Sequence, residues 1–193
     1  TYLMRKLIYF LTICVLTSCS NQIVLRENIT DLGKEGKPKI FYLNKLFSGT
    51  VKEYYLNGNL KIQSSFKRGK LNGNTKYWSE KEVLLLDAYF KANLKNGLYK
   101  QYSETGELIL DAFYKKNKKH LAYKQYDESG NLFLHSLYKK DRKNGISLSY
   151  NKSKQLILKE QYLKGKLHGI STMWDENGDI IKEGTYKKGV LQE

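Results

Sequence analysis

Hydrophobic and polar positions along this chain recur every 24 residues. Tyr54, Trp78, Tyr102, Tyr126, Tyr150 and Trp174 form one aromatic column. Phe66, Phe90, Tyr114, Tyr138, Tyr162 and Tyr186 form a second. Leu60, Leu84, Leu108, Leu132, Leu156 and Ile180 form an aliphatic column. Gly49, Gly73, Gly97, Gly145 and Gly169 form a glycine column, broken once by Leu121. With aromatics at 13% of the chain, six successive hits by chance are on the order of one in two hundred thousand, so the chain is an array of one repeated unit. Counting from the leading glycine as position 0, each unit holds two short runs rich in β-formers separated by turn residues, which is the pattern of a β-hairpin. The predicted fold is all-β: an elongated antiparallel sheet of six consecutive 24-residue hairpins, single-layered, twisted and curled.

Two turn signatures punctuate each unit. Asn57-Gly58, Thr105-Gly106, Ser129-Gly130 and Asn177-Gly178 mark the first turn, where positive φ is needed. Glu82 and Lys154 stand where glycine would be, and looser turns are expected there. The second turn carries Gly69, Asn93, Asn117, Asp141, Gly165 and Gly189, all residues that enter the left-handed region at low cost. A three-residue first loop sets the aromatic at position 5 opposite the Leu at 11. Simple alternation then places all odd positions, including both aromatic columns, on one face. Twelve strands at about 4.8 Å extend roughly 55–60 Å. So long a sheet is expected to curl, with the aromatics lining the inside of a trough.

Charge refines this picture. The 193 residues carry 34 Lys and Arg against 19 Asp and Glu, a net +15. Lysine clusters such as 115–119 and 139–143 fall on the second turns, so stacking aligns them as a ridge along one edge. That ridge suits solvated turns that discourage edge pairing, or attraction to an anionic lipid surface. Catalytic chemistry has little to stand on. There are three histidines; His120 and His168 share a turn position two repeats apart, about 19 Å, too far for one metal. No Gly-x-Ser-x-Gly elbow or phosphate loop is present. A non-enzyme without cofactor or metal is expected.

The first residues have a different character. Met4-Arg5-Lys6 is a basic start, and Leu7–Leu16 is a ten-residue apolar run, within signal-peptide range and short for a bilayer span. Leu16-Thr17-Ser18-Cys19 resembles a bacterial lipobox, which implies cleavage before Cys19 and lipid on that cysteine. Both cysteines, Cys14 and Cys19, lie here, so the array has no thiol. Ser20-Asn21-Gln22 follow with no Asp, which by the same resemblance favours the outer membrane where the cell has one. The expected organisation is a signal peptide at 1–18, a tether and partial capping hairpin at 19–48, and six repeats at 49–193. Ile23-Val24-Leu25 is a candidate short strand, and Phe41-Tyr42 fits the incomplete hairpin.

Phe66-Lys67-Arg68-Gly69-Lys70-Leu71-Asn72-Gly73 and Tyr162-Leu163-Lys164-Gly165-Lys166-Leu167-His168-Gly169 fit an aromatic-x-x-Gly-Lys-x-x-Gly pattern. Over about residues 40–189 the chain resembles the MORN-repeat variant family found in bacteria. Members of that family are often labelled antitoxins of toxin–antitoxin systems, and the resemblance supplies no catalytic residues. The leading expectation is a membrane-tethered, non-catalytic scaffold at the cell envelope. Its partner would be a protein, docked on Tyr54, Trp78, Tyr102, Tyr126, Tyr150 and Trp174. The alternatives are an antitoxin or immunity protein, or a lipid-surface binder acting through the lysine edge. Export argues against a nucleic-acid partner. A homodimer through a terminal repeat is a further expectation.

Overall fold

The computed structural model of the chain describes residues 22–34 and 37–193. Cys14, Cys19 and the apolar run before them lie outside the described residues. Twelve long or medium strands pair in sequence order as an open antiparallel ribbon. They are β5 (Gly49–Tyr54), β6 (Leu60–Lys67), β7 (Lys70–Trp78), β8 (Leu84–Lys91), β9 (Leu94–Tyr102), β10 (Leu108–Lys115), β11 (Lys118–Tyr126), β12 (Leu132–Lys139), β13 (Arg142–Tyr150), β14 (Leu156–Leu163), β15 (Lys166–Trp174) and β16 (Ile180–Lys187). The short β17 (Val190–Leu191) ends the sheet. No α-helix occurs among the described residues.

The expected pairing of position 5 with position 11 is present in all six units, from Tyr54 opposite Leu60 to Trp174 opposite Ile180. One residue further the register slips, however. Glu53 faces Ile62, leaving Lys61 as a one-residue bulge, and the same slip recurs at Leu85, Ile109, Phe133, Ile157 and Ile181. A bulge of one residue reverses which side of the sheet the following side chains occupy. Position 5 and position 17 therefore lie on opposite faces. The expectation that both aromatic columns line one trough is corrected on this ground.

The first turns are uniform. In each, the N–H of position 9 donates to the carbonyl of position 6, and the N–H of position 6 to the carbonyl of position 10, at 2.8–3.2 Å. Glu82 and Lys154, both at φ 63°, make the same pair of bonds as their glycine counterparts. The looser turns expected there are not found. A side chain at position 6 supplies the missing order: Ser79 Oγ accepts Val83 N–H at 3.2 Å, and Asn151 Oδ1 accepts Gln155 N–H at 3.0 Å. Ser103, Asp127 and Asp175 do likewise. The left-handed backbone still costs a non-glycine residue about 1–2 kcal/mol. Replacing Glu82 with Gly is expected to raise unfolding free energy by about 0.5–1 kcal/mol, after the larger entropy of the unfolded glycine is subtracted; urea titration of the variant checks this.

The second turns are two-residue connections with both central residues at positive φ, as in Lys116 at 53° and Asn117 at 66°. That is the type I′ geometry whose twist matches flanking strands. The left-handed column expected from Gly69 to Gly189 is present at every member. Each tip is also tied to the one before it. The N–H groups of Gly69, Asn93, Asn117, Asp141, Gly165 and Gly189 donate to the carbonyls of Phe47, Leu71, Lys95, Lys119, Lys143 and Leu167, at 2.7–3.0 Å. The row of tips is thus held in line by main-chain bonds.

Residues 22–34 and 37–48, read from the sequence as a tether with a partial hairpin, fold against the first repeat. β1 (Ile23–Leu25) adds to β5 as a parallel edge strand. A small second sheet, β2 (Thr30–Asp31), β3 (Ile40–Tyr42) and β4 (Lys45–Leu46), covers one face of β5 and β6. Val24, Ile40, Phe47 and Val51 form the buried cluster, with Ile29, Tyr42 and Phe66 packed on it. Asn93 Nδ2 donates to the Pro38 carbonyl at 3.0 Å, extending the cap to the second repeat.

Candidate binding surfaces

The bulges divide the ribbon into two chemically different faces. On one, a ladder of small residues runs through β6, β8, β10 and β12: Ser64, Ala88, Ala112 and Ser136, all buried. Their cross-strand partners on this face are Val51, Thr75, Tyr99, Tyr123 and Ser147. The second aromatic column lies here. Tyr99 meets Tyr114 edge-on with ring centres 5.4 Å apart, and Tyr123 meets Tyr138 at 5.6 Å. Lys95 Nζ lies 4.1 and 5.1 Å from the first pair, and Lys119 Nζ 3.9 and 5.1 Å from the second. In the next unit Ser147 replaces the tyrosine. There Lys143 Nζ sits 4.6 Å from the Tyr162 ring, 3.2 Å from Ser147 Oγ and 3.8 Å from Glu160. These lysine-over-tyrosine stacks follow from cross-strand register and were not foreseen from the sequence.

Burial raises three phenols of the second aromatic column. Tyr114 is pushed from 10.0 to about 12 by desolvation. Tyr162 is pushed to about 12 by desolvation and by donating to Glu160 Oε2 at 2.9 Å. Tyr138 rises by desolvation. The neutral phenol is therefore favoured in the folded state. Between pH 10 and 12 the unfolded chain releases protons that the folded chain retains, so stability is full below pH 10 and falls as pH rises through that window. Alkaline titration followed by tyrosinate absorbance and circular dichroism is expected to show loss of sheet signal tracking a delayed group of tyrosines.

The opposite face is the tryptophan face. Tyr54, Trp78, Tyr102, Tyr126, Tyr150 and Trp174 all lie on it, Tyr54 exposed and the others half-buried. Neighbours from other positions join them. An open cleft of about 550 Å³ between the second and third repeats is lined by Tyr89, Leu98, Tyr102 and Phe113, with Asn74, Asp87 and Lys100 supplying polar groups. Tyr89 is 46% and Leu98 58% exposed. Asp87 accepts from Asn74 Nδ2 at 2.6 Å and lies 3.3 Å from Lys76 Nζ, so it is an engaged, half-exposed carboxylate. Burial and the nearby Asp111 carboxylate raise the Tyr126 phenol.

One of the three histidines takes a structural place. His168 Nδ1 accepts the Lys188 N–H at 3.4 Å, in the role that Asn96 and Asn144 play for Lys116 and Lys164. His135, on the tryptophan face between strands, is lowered in pKa by burial and then by Lys124. No group of three or more metal-type side chains comes together among the described residues.

No curated protein matches the chain. The windows left between the segments that do match a known family are the two units in which Glu82 and Lys154 replace the turn glycine. Repeats of the matching kind generally serve as non-catalytic scaffolds. Residues 47–68, 95–116, 119–140 and 167–188 match the MORN repeat variant family, and the array is similar to it at those four repeats.

Proposed function

We propose that the chain is a non-catalytic scaffold, held at the cell envelope by lipid on Cys19, that docks a protein partner on the tryptophan face. The observation that carries this reading is the shared side of the six lead aromatics, with the 550 Å³ cleft of Tyr89, Leu98, Tyr102 and Phe113 beside them. Exposed aromatic and aliphatic groups with a few polar neighbours are what an interface core requires. The ladder of small residues beneath gives that face a rigid support. A lipidated Cys19 would hold the ribbon at a membrane, since more than one acyl chain anchors stably.

Photo-crosslinking in living cells from position 98, followed by identification of the captured protein, tests the docking. A single captured partner, lost in Tyr102→Ala and Trp174→Ala proteins that remain folded, is the supporting result; capture of a second copy would establish self-association instead. Metabolic labelling with palmitate tests the anchor. Label on the wild type and none on Cys19→Ser is expected, and equal label on both would refute it.

A further inference from the structure

The two long edges of the ribbon carry opposite charge. The six second-turn tips, residues 67–71, 91–95, 115–119, 139–143, 163–167 and 187–191, hold seventeen of the 34 Lys and Arg and one acidic residue, Asp141. The six first-turn tips, residues 55–59, 79–83, 103–107, 127–131, 151–155 and 175–179, hold nine acidic residues and three lysines. This separation is not a property of composition. It arises because each hairpin places one turn type on each side.

The basic edge is densest in the middle. Lys118, Lys139, Lys140, Arg142 and Lys164, from three consecutive tips, border an open cleft of about 510 Å³. All five are exposed, and none takes part in an ion pair among the described residues. The one carboxylate belonging to these tips, Asp141, accepts the Lys119 N–H on its Oδ1 at 2.6 Å. The cations are also prearranged. Tip-to-tip main-chain bonds join each tip to the next, and tips recur every two strands, about 10 Å.

We propose that this edge binds a linear, phosphate-bearing polymer that lies along the hairpin tips, with its tightest contact in the cleft of residues 118–164. Charges in a single row, one tip wide, match a chain of anions better than a plane of them. A flat bilayer meets such an edge along a line and leaves most of its head groups out of reach. The Arg142 fork suits bidentate phosphate recognition, and the lysines act as point charges around it. The opposite, acidic edge repels the same polymer and so fixes which side of the ribbon it takes. This site is separate from the tryptophan face, so its failure leaves the docking reading untouched.

The test uses the unlipidated Cys19→Ser protein and inorganic polyphosphate. A chain of about 60 phosphates is expected to bind at least tenfold more tightly than one of about five, because it spans several tips. Affinity is expected to fall steeply with salt. The exposed triple variant Lys139→Gln/Lys140→Gln/Arg142→Gln is expected to lose at least tenfold in affinity and to reduce the salt slope by about 2, from the counterions no longer released. Lys81→Gln/Lys152→Gln, on the acidic edge, is expected to change affinity less than twofold. Circular dichroism confirms that both variants are folded. The proposal is overturned by equal losses in the two variants, by affinity independent of polymer length, or by binding to anionic phospholipid vesicles without binding to polyphosphate.

Discussion

Replacing Phe47 with alanine is expected to remove about 3–5 kcal/mol from the stability of the amino-terminal cap, the range for deleting a buried phenyl group. Phe47 is 3% exposed, at the centre of a cluster with Val24, Ile40 and Val51, and its ring meets Tyr42 edge-on at 6.1 Å. Its main chain joins the same contacts, the N–H donating to Ile40 at 3.0 Å and the carbonyl accepting from Gly69 at 2.7 Å. The cap is small, and a loss of this size matches or exceeds what so few buried side chains supply. In a repeat array each unit leans only on its neighbours, so the damage is expected to stay local. β1 detaches from β5, and the amides of Thr50 and Ile40, which donate to Gln22 and Gly69 at 2.8 Å, begin to exchange. The amides of β11 to β13 keep their protection. Hydrogen exchange resolved by residue is the measurement. Uniform loss along the sheet would show that the array unfolds as one unit, and no change would show that the cap contributes nothing.

The repeat, its length, the hairpin register at the first turn and the left-handed column at the second were legible because each depends on local pattern. Tyr54 opposite Leu60 follows from a turn of fixed length. Gly69 and Asn93 follow from what a tight turn tolerates. The bulge was not legible, because its residues, Leu85, Ile109 and Ile157 among them, look like ordinary strand-interior residues, and nothing in their composition says that one of them is left unpaired. That single residue decides which face the lead aromatics occupy, so counting alternate positions placed two columns together that the backbone separates. Glu82 and Lys154 misled for a related reason. Glycine is one way to stabilise a left-handed turn, but the acceptor at position 6, occupied by Ser79 and Asn151, is another. The position-6 column, Ser, Asp or Asn in every unit after Tyr55, was visible and carried that information. The parallel pairing of Ile23–Leu25 with β5 could not be seen, since it joins segments distant in sequence with no turn to mark it. Among the site residues, the sequence identified the six lead aromatics as a set. It did not supply Tyr89 and Phe113, which the bulge brings to the same cleft from position 16, nor single out Leu98 at position 1 of the lead strand.

Ala112→Leu is expected to cost about 1–3 kcal/mol, and the reason lies in the alternation of sizes across the small-residue ladder. Ala112 is 2% exposed and stands between Tyr99 on β9 and Tyr123 on β11. Both rings are fixed, each by an edge-on partner and by a lysine over its face. A leucine must therefore displace at least one ring and its lysine. Two repeats later the same column holds Glu160, a larger side chain than alanine, and it fits because its neighbours are Ser147 and Ser171. Size at this position is thus conserved as a sum across neighbouring strands, large beside small. Ala112→Ser, which reproduces what the column holds at Ser64 and Ser136, is expected to change stability by less than about 1 kcal/mol. The decisive measurement is a double-mutant cycle by urea unfolding. Tyr99→Ser in the Ala112→Leu background is expected to cost less than Tyr99→Ser alone by at least 1 kcal/mol, because the leucine occupies the space the ring vacates. Simple additivity would show instead that the ladder tolerates each residue independently, and that the small column is small for some reason other than packing.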